Sequence, residues 1–128
     1  MGAPAIVQGD RIAGQCGNHL IPNPSSGAPQ PAPPMPFSAP LTQGLVSSVL
    51  IAGKPAAVLQ SSGMNTPAHV GLHPSDPFLA PAQQVGRITS GSATVLIGGR
   101  AAATGQSTCT CCALPGSLVP TVTSVTIG

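Results

Sequence analysis

Residues 48–57, Ser-Val-Leu-Ile-Ala-Gly-Lys-Pro-Ala-Ala, return 46 positions later as Thr-Val-Leu-Ile-Gly-Gly-Arg-Ala-Ala-Ala at 94–103. The correspondence runs on without a gap to Gln60-Ser61 against Gln106-Ser107. A shorter echo, Ser-Val-Thr-Ile-Gly at 124–128, closes the chain, and a weaker one, Ala-Ile-Val-Gln-Gly-Asp at 5–10, opens it. Each unit reads as a strand, a Gly-containing turn and a second strand, which is the pattern of a β-hairpin. One hairpin cannot bury its apolar side alone. Two or three copies related by pseudo-rotation can pack those sides together, and the loops between them then gather at one end.

Composition supports a mainly β chain. Gly and Pro, 16 each in 128 residues, interrupt every stretch long enough for most helices. Val, Ile and Thr cluster in short runs at 5–7, 47–51, 84–89, 94–97 and 120–127, bounded by Gly, Pro and Ser. Only 5% of residues are charged, against roughly 25% in an ordinary soluble domain. With 41% hydrophobic residues the chain lacks the polarity and net charge of a disordered segment. No apolar run reaches the length of a membrane-spanning helix. Arg11, Lys54, Arg87 and Arg100 are scattered cations, and Phe37 and Phe78 are the two aromatic residues, so neither a basic face nor a stacking platform for nucleic acid is expected. The N-terminus has no basic and apolar segments of a signal peptide. So little charge leaves two readings: Ser, Thr, Gln and Asn wet the surface or, favoured by the apolar average, a partner covers much of it. The Pro-rich stretch 22–40, within one domain spanning 1–128, reads either as a polyproline linker or as an ordered strap lying across a partner, with Met35 and Phe37 as its apolar anchors.

The His and Cys residues fall outside the Val-Leu-Ile runs and are expected in loops. Cys16 and His19 follow the first unit at C-x2-H spacing, His69 and His73 the second at H-x3-H, and Cys109, Cys111 and Cys112 the third. If the loops meet at one vertex, three His and one Cys make a tetrahedral nitrogen and sulfur shell, which suits zinc. Two disulfides are the competing use of four Cys. Adjacent Cys111 and Cys112 pair poorly with each other, and Cys109 and Cys112, although at C-x2-C spacing, have no βαβ context for redox work. The chain contains no Glu to act as a base beside a metal, and a four-ligand shell leaves no open position. No nucleophile elbow, phosphate loop or pair of carboxylates is evident, so no enzyme activity is expected. Asp76 and Asp10 are candidates to hold a ligand His in one tautomer.

The strand ending in Gly9-Asp10, the strap Pro-Ala-Pro-Pro-Met-Pro at 31–36, His-Val-Gly-Leu-His-Pro-Ser-Asp at 69–76 and the repeated Val-Leu-Ile hairpins resemble the PAAR and PAAR-like proteins. These tip the spikes of contractile injection machines such as type VI secretion systems, phage tails and phage-tail-like particles. The family's Pro-Ala-Ala-Arg motif is approximated by Pro55-Ala56-Ala57, with Val58 in place of Arg, and by Ala101-Ala102-Ala103. The resemblance implies a small cone of pseudo-threefold β-hairpins with one structural zinc near its vertex. It implies His19, His69 and His73 as ligands with Cys109 fourth, since Gly105-Gln106 occupies the place of a family Gly-Asp. Cys112, Cys111 and Cys16 are the alternatives. The partner implied is a VgrG-like trimeric spike protein, bound as one monomer on a homotrimer through the broad base. Membrane is touched only transiently during puncture. Assembly in the cytoplasm and delivery outside the cell follow from the same likeness. The chain is expected to be a bare tip with no effector fused.

Overall fold

A computed structural model describes residues 2–17, 19–112 and 114–127. Among them there is no α-helix and one short 3-10 turn, Pro81–Gln83, and no helix is long and apolar enough to cross a membrane. The main element is a six-stranded antiparallel sheet in the order Met35–Pro40, Arg11–Cys16, Leu114–Val119, Cys109–Cys111, Val85–Ile88, Ser62–Met64. Its two edge strands approach each other, with the Thr66 N–H donating to the Ser38 carbonyl and the Thr42 and Gln43 N–H groups to Ser62. The sheet is therefore a nearly closed barrel.

Inside the barrel lie Ile6, Ile12, Phe37, Leu41, Ile88 and Leu118, together with all four cysteines. Burying an aliphatic side chain of this size contributes about 1.5–3 kcal/mol, so the barrel rests on a small aliphatic core in which the thiols pack as small hydrophobes. The bore is narrow. A Cβ on Gly86 would stand 3.1 Å from both Ile12 and Phe37, so a glycine faces the two largest inward side chains. This is why most of the main strands escaped the sequence reading. Their inner positions hold Gly, Ala and Cys instead of a Val-Ile run, and Met35–Pro40 carries Pro on an edge, where a missing N–H is tolerated. The Pro-rich stretch is an ordered part of the fold. Its first part forms a small hairpin, Leu20–Pro22 with Pro29–Pro31, and its last part is a barrel strand in six-residue register with Arg11–Cys16.

Two further hairpins are the repeated segments. Val46–Ile51 pairs with Lys54–Ala56, and Leu96–Ile97 with Arg100–Ala101. Each turns on two residues of positive φ, Ala52-Gly53 and Gly98-Gly99, the arrangement that matches the twist of flanking strands. The two ends of the chain meet each other. Ala3–Pro4 pairs with Thr126–Ile127, Ala3 opposite Ile127, while Gly128 lies outside the described residues.

After these strands come three four-residue turns with a corresponding cap, the first two with positive φ at the third residue, Gly9 and Gln60, and the third without it. In residues 7–10 the Val7 N–H is capped by the Asp10 carboxylate, in 58–61 the Val58 N–H by the Ser61 hydroxyl, and in 104–107 the Thr104 N–H by the Ser107 hydroxyl. Between the turns the chain closes two rings of hydrogen bonds. The Ile6 N–H donates to Ala103, Ala103 to Ala57 and Ala57 back to Ile6, at 3.3, 3.1 and 2.9 Å. One layer away Gln8 donates to Pro55, Leu59 to Ala101 and Gly105 to Pro4. Ile6, Ala57 and Ala103 face the barrel core. Their neighbours Ala5, Val7, Ala56, Val58 and Ala102 face a second core with Ile51, Ile97 and Val122, as strand alternation requires.

Ala52 is the one non-glycine among the four turn residues. A left-handed alanine costs roughly 1–2 kcal/mol, and Asn tolerates that region well. Ala52→Asn is expected to raise stability by up to about 1 kcal/mol, read as a higher urea midpoint with unchanged slope.

Candidate metal centre

The strand Arg11–Cys16 leaves the turn at Asp10 and carries Cys16 about 20 Å from the hydrogen-bonded rings. Cys16 pairs across to Met35 at the far end of the barrel. The hairpin of Cys109–Cys111 with Leu114–Val119 turns at the same end, and Cys112, held there at a φ of 49°, points inward. The chain bends back after Cys16, so that His19 is 1% exposed beneath the loops. One donor atom from each of Cys16, His19 and Cys112 then lies within 4.8 Å of the others, and all three residues are buried. These three lie close enough to hold a metal ion. Local C-x2-H spacing delivers the first pair, and the tight turn at 112 delivers the third from nearly a hundred residues away.

His69 comes up against His19 from the loop after Ser62–Met64, outside the group of three. Its Nδ1 is 2.8 Å from His19 Nε2, with the rings edge to face. Both outer nitrogens are occupied. His19 Nδ1 lies 3.0 Å from Asp76 Oδ2, and His69 Nε2 lies 2.6 Å from the Pro36 carbonyl oxygen. A carboxylate and a carbonyl can only accept, so each outer nitrogen carries the proton. Two neutral rings would then turn lone pairs on each other at 2.8 Å, which is relieved either by a proton on one ring or by a metal ion that both nitrogens ligate with the gap opened beyond about 3 Å. The three clustered donors, two thiols and the His19 imidazole, suit a thiophilic ion, and His69 stands beside them in contact with His19.

Asp76 is the hub of the support. Burial alone would push its carboxyl up, but the Leu20 and Phe78 N–H groups and His19 together hold it below the ordinary carboxylate range. The thiols move the other way. Burial raises Cys16 and Cys112 well above the usual thiol value, with the Asp76 charge adding to it. A bound cation reverses that penalty by stabilising thiolate. Gln84 is completely buried and fixes the loop that carries His69. Its side chain accepts from the His69 N–H at 2.7 Å and donates to the His69 and Phe78 carbonyls. Sequence reasoning passed over Gln84, because a single Gln beside a strand carries no local signal.

The other residues singled out in the sequence lie elsewhere. His73 is half-buried, its Nδ1 engaged with the Ser75 hydroxyl and N–H. Cys109 faces the barrel interior beside Ile88, two residues along the strand from Cys111 and hence about 7 Å deeper. Burial, followed by the nearby Cys111, pushes its thiol up to about 11. Cys111 has its sulfur against the Gln15 and Pro115 carbonyls. Cys16, Cys109 and Cys111 were expected in loops, whereas all three belong to barrel strands. Inside so narrow a bore a thiol is the size of side chain that fits.

No protein-family model, curated protein or solved structure matches this chain.

Proposed function

We propose that this chain is a PAAR-like spike tip. Its hairpin end caps a trimeric spike protein, and a structural zinc ties together the opposite end. The observation that carries the proposal is the closed triplet of hydrogen bonds through Ile6, Ala57 and Ala103. A single chain that repeats a capped turn and one hydrogen bond three times around a closed ring has the pseudo-threefold form a homotrimer can accept. The hairpins beyond that ring present large apolar side chains to solvent. Leu50 is 60% and Leu96 67% exposed, at corresponding positions of the repeat, with Val49 and Val125 beside them. Exposed apolar residues placed by the repeat itself suit a partner that continues the β-structure below.

For the zinc, Cys16, His19 and Cys112 are the ligands whose donor atoms already lie together, and His69, in contact with His19, moves in as the fourth; the set differs from the three His and one Cys that the family likeness implies. A closed shell in a chain without Glu serves structure: it joins the 16–19 segment, the His69 loop and the 112 turn. The task of the molecule is then mechanical, to give a spike a bonded point that survives the load of membrane puncture.

Leu50→Asp combined with Leu96→Asp tests the docking face. Both side chains are exposed, so the fold should persist, while binding to the trimeric spike protein is expected to fall by at least about a hundredfold, as for loss of a central interface anchor. Unchanged binding, or self-assembly of the chain in place of trimer binding, would overturn the assignment.

A further inference from the structure

His19 and His69 are held from behind by different kinds of acceptor and through different nitrogens. His19 gives its Nδ1 side to Asp76, whose other contacts, the Leu20 N–H at 2.7 Å and the Phe78 N–H at 2.6 Å, fix the carboxylate on both sides. His69 gives its Nε2 side to the carbonyl of Pro36, which belongs to the edge strand Met35–Pro40. That contact crosses the seam of the barrel. The loop bearing His69 continues from Ser62–Met64, and only a few bonds, such as Thr66 N–H to Ser38, join the two edges directly. An apolar groove of about 390 Å³ runs along this part of the seam, lined by Met35, Pro36, Pro67, His69 and Val70 among others.

Resting on the metal reading of the cluster, we propose that Asp76 and the Pro36 carbonyl lock the two imidazoles in opposite tautomers. His19 then ligates through Nε2 and His69 through Nδ1, and the ion that fills the cluster also fastens the seam. Asp76 is thus a positioning residue: it touches no ligand atom, and it sets which nitrogen His19 offers. Groups that orient metal-bound histidines in this way are typically worth 10–100-fold in metal affinity. His69 is the clasp. Held at Nε2 by one edge strand and reached through the loop of the other, it transmits the metal bond to both sides of the gap.

The test uses the full chain, labelled with nitrogen-15 and loaded with zinc, so that capping of a trimer does not enter. Long-range proton–nitrogen correlation spectra report which nitrogen of each imidazole holds a proton. The expected pattern is a proton on Nδ1 of His19 and on Nε2 of His69, with the opposite nitrogens shifted by the metal. Asp76→Asn should lower zinc affinity by about 10–100-fold in chelator competition, and should speed exchange of the His19 ring proton while the backbone spectrum stays folded. If Asp76→Asn fails to fold, the wild-type tautomers still decide the matter. Both histidines ligating through the same type of nitrogen would overturn the proposal, as would His69 remaining unligated in the loaded protein or Asp76→Asn binding zinc as tightly as the parent.

Discussion

Cys112→Ser is expected to abolish the proposed metal binding and, with it, a large contribution to stability. The cluster joins segments separated by some ninety residues in the chain, and it sits where the barrel core ends in half-buried loops. Binding to the folded state alone contributes about 4 kcal/mol when free metal stands a thousandfold above its dissociation constant. For a chain of this length that corresponds to a fall in Tm of roughly 15 °C. The same loss should follow from a chelator, and the gap between wild type and Cys112→Ser should narrow as pH falls. The two thiols are buried and strongly favour the protonated form, so metal must displace protons to bind, and acid reverses the exchange. His69→Ala should behave like Cys112→Ser. His73→Ala, whose ring is engaged with Ser75, should stay close to wild type in metal content. Calorimetry beside elemental analysis of the three variants checks this. A Cys112→Ser protein with full metal and unchanged Tm would remove the cluster from the account.

Gly63→Ala is the second large effect. Gly63 lies in the edge strand Ser62–Met64, opposite Gly86, with its α-carbon against the far edge of the sheet. A Cβ there would collide with the Pro40 carbonyl, whose carbon is 2.7 Å away, and would stand 3.3 Å from the Leu41 nitrogen. These are backbone atoms and cannot swing aside. The two edges would have to part where Ser62 bonds Thr42 and Gln43. Overpacking of a rigid site costs about 1–3 kcal/mol and occasionally more, and the upper end is expected. Gly105→Ala, whose added methyl would meet only Pro4 and Pro120 at 3.6 Å, is the control and should stay within about 0.5 kcal/mol. Equal midpoints for the two variants in urea would show that the seam is looser than described.

The parts of the fold legible in the sequence are those whose pattern is local. Val49-Leu50-Ile51 followed by Ala52-Gly53 announces a strand and a two-residue turn, and its return at Val95-Leu96-Ile97 announces a second. Val85–Ile88 falls within the run at 84–89, but the other barrel strands are hidden, because closing a narrow bore puts residues such as Gly14 and Gly116 where a wider sheet would place Val or Ile. Ser61 and Ser107 cap corresponding turns with a hydroxyl while Asp10 does so with a carboxylate, so the first of the three is faint in the sequence. At the candidate site the Cys16 and His19 pair stands out by spacing. Cys112 does not, because three cysteines within four positions look alike until the strand alternates Cys109 and Cys111 into the bore and the turn swings Cys112 toward His19. The support from Asp76 and Gln84 depends on loops meeting at long range, which no spacing records.

The most direct measurement is the native mass of the chain mixed with the trimeric spike protein in the presence of zinc. The account requires one complex containing three spike chains, one copy of this chain and one zinc ion, with no larger species at excess tip protein. Three copies of this chain per trimer, or polymers of the chain alone under the same conditions, would contradict it.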